Sequence, residues 1–341
     1  VIFEDFFRHE AHALSACMLS PFSESAVLTC DGRGDYESLT FSIFSKSSNE
    51  LKKLYSSSSS DSLGFFYGRI TGMLGFTPCR HEGKITGLAA YGNPKKAINL
   101  MKEMISYDGK NVVSKLGDMY RPFYKNYSSK LLKAINKYSK EDISAAAQVH
   151  LENILSKFIS DQYIKHNLSG LPLCLAGGVF GNVKVNAKLR DTKGVSGIFV
   201  QPQMGDGGLA VGAVCGVLKN RKKYPKPLAS MSLGPSAGNI NNLISKYDKK
   251  GFKFQEYSQS DLINVITKNL MESKVIGLVR GRMEFGPRAL CNRSILFKTS
   301  DKTCNDWLNK RMNRTEFMPF APVMNVENAK KHLKPFDERD R

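Results

Sequence analysis

Leu171-Pro172-Leu173-Cys174-Leu175-Ala176-Gly177-Gly178 is the stretch on which the fold turns. The apolar run from Leu171 to Ala176, stopped by a glycine pair, reads as a short buried strand ending in a tight turn. A helical pattern follows through Asn186 and Leu189, Gly197 to Val200 reads as a second strand, and Gly205-Asp206-Gly207-Gly208 opens a small-residue helix that runs to Val217. Strand, glycine turn, helix, then the same again: this order indicates an α/β domain.

Working outward toward the N-terminus, residues 128–166 carry two helical patterns. The second is amphipathic, with Val149, Ile154, Leu155, Phe158 and Ile159 on its apolar side. Residues 108–127 are aromatic and loop-like, residues 63–75 suit a small-residue helix, and the serine tract Ser56 to Ser60 reads as a loop. Ala26 to Cys30 is a strand by composition. It runs into Asp31-Gly32, a turn signal, and Tyr36 to Phe44 reads as the returning strand. The expected hairpin tip therefore holds Asp31, Gly32, Gly34 and Asp35, and residues 5–18 before it suit a helix with His9 and His12 in it. Working outward in the other direction, residues 220–236 are rich in Lys, Pro and Ser and read as a linker. Beyond it a helical region (240–270), a strand (Val275 to Arg280), a Gly/Pro/Arg loop, a helix (Asp301 to Met312) and a strand between prolines (Phe317 to Val326) form a second, incomplete-looking unit.

The 341 residues suffice for one large domain or two ordinary ones, and an apolar share of 41% allows a core without disulfides or metal. No run of 18 apolar residues exists, so no transmembrane helix is expected. The start, Val1-Ile2-Phe3-Glu4, lacks a signal-peptide pattern and reads as a chain already under way, and the end at Arg341 stops without a finished element. Seven scattered cysteines without a CxxC pair, most of them in apolar runs, fit free thiols in a reducing cytosol. The net charge of +19 is spread over surface-type helices with no arginine-rich or aromatic-interleaved stripe, which argues against nucleic acid as the partner and suits an anionic small substrate.

Three constellations could carry chemistry. His12 lies on a helix four residues after Arg8 and three after His9. Two further acids, Asp31 and Asp206, stand at turns, and a His with two carboxylates suits iron, manganese or magnesium better than a structural zinc. The turns at Gly177-Gly178 and Gly205 to Gly208 would let a nucleotide approach the backbone at helix N-termini, although glycine also serves tight turns for geometry alone. Arg280-Gly281-Arg282-Met283-Glu284-Phe285-Gly286-Pro287-Arg288-Ala289-Leu290-Cys291-Asn292-Arg293-Ser294 sets four arginines among Gly and Pro that fix the backbone. Guanidinium forks match phosphate and carboxylate.

Taken together, these segments resemble the carbamoyltransferases that modify nodulation factors and antibiotics such as tobramycin and cephamycin. The resemblance rests on Arg8 to Ala13, Val27 to Gly32, Glu82 to Gly92, Ala176 to Asn182, Gly205 to Gly208, Arg282 to Leu296 and Arg314 to Pro322, in the family's order along nearly the whole chain. It implies an actin-like ATPase fold of the kind shared with tRNA threonylcarbamoyl transferases over residues 1–226, and the start of a YrdC-like α+β domain over 227–341. Both ends would be missing, so that this piece alone is expected not to catalyse the full reaction. The implied reaction makes carbamoyl adenylate from carbamoyl phosphate and ATP in the YrdC-like part. The carbamoyl group then passes to a hydroxyl of a sugar, antibiotic or polysaccharide in the actin-like part. Carried over, His12, Asp31 and Asp206 would hold a divalent metal, iron first and magnesium or manganese as alternatives. Lys84, Gly177, Gly178, Asn182, Arg282 and Arg293 would bind the nucleotide. Arg288 and Arg314, with the other loop arginines, would neutralise phosphate and carbamoyl oxygens, and His12 would share in the transfer. A cytoplasmic protein with no membrane partner is implied, and a homodimer is compatible with it.

The sequence departs from the family at Arg8, where the first metal-ligand histidine falls. A guanidinium cannot ligate a metal, so His9 stands in after a helix shift, or the metal site is weakened, or the transfer step is altered. Met312 and Met318 stand where the family often has a basic residue. Two other functions compete: a tRNA threonylcarbamoyl-type transferase, favoured by the basic charge but lacking the arginine-loop signature, and a non-catalytic nucleotide-binding relative, suggested by Arg8.

Overall fold

Helix α1 (Arg8–Cys17) leads into a meander of three strands, β1 (Glu24–Gly34), β2 (Glu37–Ser45) and β3 (Glu50–Ser58). Helices α2 (Leu63–Met73), α3 (Glu82–Leu88) and α4 (Pro94–Lys102) follow. Then come the short hairpin of β4 (Ile105–Tyr107) and β5 (Val112–Ser114), and helices α5 (Ser129–Ile135) and α6 (Lys140–Lys165). The stretch that decides the class supplies β6 (Leu173–Ala176), α7 (Val183–Arg190), β7 (Ile198–Val200) and α8 (Leu209–Asn220). The structure, a computed structural model, describes residues 4–123, 126–238, 241–248, 250–298, 303–313 and 320–333.

The main sheet has the order β3-β2-β1-β6-β7. Its meander half is antiparallel, while β1 pairs parallel with β6, from Ala26 opposite Leu173 to Thr29 opposite Ala176, and β6 pairs parallel with β7. The expected α/β class is therefore observed, with a mixed sheet. Alternation sorts the strands onto two faces. Ala26, Leu28, Leu39, Phe41, Leu173 and Leu175 point into a core built with α2, α4 and α6. Val27, Phe44, Cys174 and Ala176 point the other way, into a smaller core with α1 and α8. In the larger core Phe158 of α6 is fully buried and meets Phe41, Tyr55 and Tyr107 at ring-centroid distances of 6.1, 4.9 and 5.8 Å. Burying one such ring contributes roughly 1.5–3 kcal/mol. On the other face Gly212 of α8 lies so near α1 that a Cβ there would fall 1.9 Å from the Ala11 carbonyl oxygen. Hence glycine is required where α8 crosses α1.

Two expectations are corrected here. Asp31-Gly32 is not the hairpin turn: β1 continues to Gly34 with its register shifting between Cys30 and Gly34, and the chain reverses at Asp35 and Tyr36, whose φ angles are 51° and 67°. The serine tract is a strand up to Ser58. It pairs with β2 and buries Ser57, so ladder hydrogen bonds overrule its loop-like composition. Cys17, Cys30, Cys79, Cys174, Cys215 and Cys291 are free, and Cys17, Cys30, Cys174 and Cys215 of these are buried. No helix among the described residues is long and apolar enough to cross a membrane.

The chain divides into two compact units after Leu228, the second running from Ala229 to Ala329, and the stretch beginning at Lys330 is grouped with the first. The second unit contains α9 (Asn241–Asp248), α10 (Gln259–Met271), the antiparallel pair β8 (Ile276–Val279) and β9 (Arg293–Leu296), α11 (Thr303–Arg311) and the first part of α12 (Val326–His332). The helical region expected over 240–270 is thus two helices with a non-helical segment between them. The strand expected between the prolines is not found over 320–325, and Phe317 lies outside the described residues.

Candidate functional site

The phase of β1 decides what the site contains. Ser25, Val27, Thr29 and Asp31 share the face turned toward α1, so extending the strand past Cys30 delivers Asp31 beneath that helix. On α1, Arg8 and His12 are one turn apart and meet the same carboxylate. Asp206 arrives from the short turn that precedes α8. The three expected metal-ligand candidates are brought together: donor atoms of His12, Asp31 and Asp206 all lie within 4.8 Å of one another. His12 Nε2 is 3.2 Å from Asp31 Oδ2 and 3.8 Å from Asp206 Oδ1.

Arg8 enters the same cluster. Its Nη2 donates to Asp31 Oδ2 at 3.0 Å and also to Asp206 Oδ1, the same two oxygens that face His12. Burial opposes ionisation of Asp31, but hydrogen bonds from His12, the Gly32 N–H and Arg8 outweigh it and hold the carboxyl well below the usual carboxylate range. Burial likewise opposes the charge on Arg8, and the carboxylates of Asp31 and Asp206 raise it again. His9 does not substitute as a ligand. Its Nδ1 is 2.7 Å from the Thr29 hydroxyl, which is itself 2.6 Å from that of Thr40, and burial followed by the neighbouring His12 lowers its pKa.

Of the expected nucleotide-binding residues, Gly177 and Gly178 adjoin the strand end that carries Asp31. Gly177 has φ 108° and comes so close to β1 that a Cβ would lie 2.2 Å from the Cys30 carbonyl oxygen, so only glycine can stand there. Gly178 follows directly over Asp31: a Cβ on it would be 3.0 Å from Asp31 Oδ1. Asn182 caps α7, accepting from the backbone N–H groups of Lys184 and Val185, each at 3.2 Å. Its amide also donates to Gln148 Oε1 at 2.8 Å, and that oxygen accepts the Tyr67 hydroxyl at 2.7 Å. This chain of Tyr67, Gln148 and Asn182, with Thr86 at its side, escaped sequence reading because polar residues scattered over four helices carry no common spacing. Lys84 is buried, with its ammonium 5.2 Å from the centre of the Phe76 ring.

The arginine loop belongs to the second unit. Glu284 is its organiser: Oε1 accepts the backbone N–H groups of Leu290, Asn292 and Arg293 at 2.8, 2.7 and 3.0 Å. Burial raises its pKa, but these N–H groups more than compensate and bring it down to about 2. Arg282 donates to the carbonyls of Gly234 and Leu233 at 2.8 and 2.7 Å, and Arg293 to those of Arg280 and Asn292 at 2.8 and 2.9 Å. Arg288 is exposed at the surface of the loop, and Arg314 and Met318 lie outside the described residues.

Residues 5–215 match the family model described as Carbamoyltransferase N-terminus, and residues 267–340 match Carbamoyltransferase C-terminus. The chain belongs to the carbamoyltransferase family. Nodulation protein NolNO of Sinorhizobium fredii is 32% identical over 97% of this chain and 49% of its own length. For nodulation protein NolO of Bradyrhizobium diazoefficiens the figures are 32%, 94% and 59%, and for an uncharacterized protein of Methanocaldococcus jannaschii 32%, 94% and 61%. The chain thus spans about half to three-fifths of the length of these relatives. The crystal structure of T. kodakarensis HypF covers 63% of the chain at 15% identity with a TM-score of 0.36, too low to carry a structural argument. The His12, Asp31 and Asp206 cluster falls within the N-terminal match, and the arginine loop within the C-terminal one.

Proposed function

We propose that the protein carrying this chain is an ATP-dependent O-carbamoyltransferase. The single observation behind this reading is the ordered pair of carboxyl-terminal and amino-terminal family matches, each containing one of the chain's two charged constellations. The second unit would belong to a YrdC-like domain in which water cleaves carbamoyl phosphate to carbamate and inorganic phosphate, and the carbamate oxygen then bonds to the α-phosphorus of ATP, giving carbamoyl adenylate as pyrophosphate leaves. Arg288 and Arg314 would neutralise the phosphate and carbamoyl oxygens there, while Arg282 and Arg293 brace the loop and add positive charge. The first unit would be an actin-like transfer domain. Lys84, the Gly177-Gly178 turn and the α7 start at Asn182 would border the nucleotide. An acceptor hydroxyl of a sugar or natural product would then bond to the carbamoyl carbon as AMP leaves.

One imidazole and two carboxylates make a donor set that suits iron, manganese or magnesium. Two features nevertheless conflict with a metal at this point. Arg8 already pairs with the inward oxygens of both carboxylates, and His12 Nδ1 is buried with no acceptor among the described residues. A metal-bound imidazole normally donates its other N–H to an acceptor. In the transfer His12 and Asp31 would therefore act without a metal, as a hydrogen-bonded pair beside the positive charge of Arg8.

The test is carbamoyl-phosphate-dependent release of pyrophosphate from ATP by the full-length protein. Release that requires carbamoyl phosphate is the expected result. ATP binding without any such turnover would instead support a non-catalytic relative, the reading that Arg8 favours.

A further inference from the structure

We propose that the Arg8 guanidinium is the resident cation of the His12, Asp31 and Asp206 site, and that the wild-type protein holds no divalent metal there. The inference rests on the geometry of this cluster and not on which group the enzyme transfers. Arg8 Nη2 engages Asp31 Oδ2 at 3.0 Å and Asp206 Oδ1 besides, so the oxygens that converge with His12 Nε2 are already bound to a positive charge. A divalent ion placed among the same atoms would stand at contact range from that charge, where like-charge repulsion is strong even at high dielectric. Ligation through His12 Nε2 would also move the ring proton to Nδ1, which has no acceptor among the described residues.

The fold makes room for the arginine specifically. Gly34, at the end of β1, lies against the aliphatic stem of Arg8: a Cβ there would be 2.2 Å from Arg8 Cδ, 2.7 Å from Cβ and 2.8 Å from Cγ. Gly34 has no unusual φ that demands glycine, so space is the reason for it. The Arg8 backbone N–H meanwhile donates to the carboxylate of Asp35 in the same hairpin. The guanidinium is thus held at both ends, by the stem cradle and by the two carboxylates. Its charge persists at every working pH, and at 31% side-chain exposure it can still offer an N–H to a bound oxygen. Arg8 would therefore supply, as a tethered group, the positive charge that a bound ion would otherwise bring.

The experiment measures Mn²⁺ alone, by equilibrium dialysis and electron paramagnetic resonance, on the full-length wild type and on Arg8→His, Arg8→Met and Gly34→Ala. The wild type should retain far less than one Mn²⁺ per chain. Arg8→His and Arg8→Met should bind at least about thirtyfold more tightly, from loss of the repulsion alone. Gly34→Ala should also gain Mn²⁺ by expelling the arginine stem while every ligand stays in place, and adding Asp31→Asn to Arg8→Met should abolish the gain. If Arg8→His does not fold, Arg8→Met and Gly34→Ala give the same comparison. A wild type that binds one Mn²⁺ per chain as tightly as the variants, and loses it on Asp31→Asn, would overturn the proposal. Arginine variants that gain no Mn²⁺ would overturn it equally.

Discussion

Asp31 and Glu284 are both carboxylates held in ionised form, but for opposite purposes. Asp31 meets side chains, Arg8 and His12, that come from another element. Glu284 meets backbone N–H groups of its own loop, and the arginines around it turn to backbone carbonyls. The first arrangement balances charge between elements and so builds a site. The second fixes a loop conformation and uses arginine as a brace. An arginine in a Gly- and Pro-flanked loop is thus not by itself evidence of a ligand contact. What it donates to decides.

Four substitutions sharpen that contrast, in descending order of expected effect. Arg288→Ala should reduce carbamoyl-phosphate-dependent pyrophosphate release at least about a hundredfold, as loss of one oxyanion-stabilising donor does, while thermal melting of the first unit stays put. Unchanged release would make Arg288 another brace. Asp31→Asn should cost about 2 kcal/mol in urea unfolding. That figure takes the lower side of breaking a buried pair, because Arg8 keeps 31% side-chain exposure. Unfolding that matches the wild type would mean the cluster is not a stabilising ion pair.

The third substitution reads pH. Glu284 is lowered from 4.5 to about 2, so the stability it contributes is present above its unfolded value and lost as pH falls from about 4.5 toward 2. Glu284→Gln should be less stable at neutral pH and should show a flatter decline over that acid window, followed by fluorescence of Trp307 in α11. An identical acid limb in both proteins would remove Glu284 as the organiser of the loop. The smallest effect is expected from Arg293→Lys, which keeps the charge but loses the fork. It should cost about 1 kcal/mol of stability with ATP affinity preserved. A large fall in ATP affinity would instead mark Arg293 as a direct contact.

Much of this organisation was legible in the sequence, for reasons that differ by region. The β6 and α7 stretch could be read because a buried parallel strand is a continuous apolar run ended by glycine. His12, Asp31 and Asp206 could each be picked out as candidate ligands, but their convergence needed the fold, which delivers Asp31 on an extended strand and not on a turn. The Asp-Gly signal misled because a register shift absorbs it inside β1, and the serine tract misled because sheet pairing supplies what its side chains do not. Illegible altogether were the bond from Gln148 to Asn182, 34 residues apart, and the fit of Gly34 to Arg8, since neither follows any helical or strand period.

The parallel pairing of Ala26 with Leu173 has a consequence for how the chain comes into being. During synthesis the meander emerges well before β6, and the margin of β1 that β6 pairs with waits nearly 150 further residues for that partner. Contacts so distant along the chain assemble slowly, and an unpaired margin invites the wrong strand. A nascent protein of this kind should depend on chaperones during its translation more than its finished architecture would suggest.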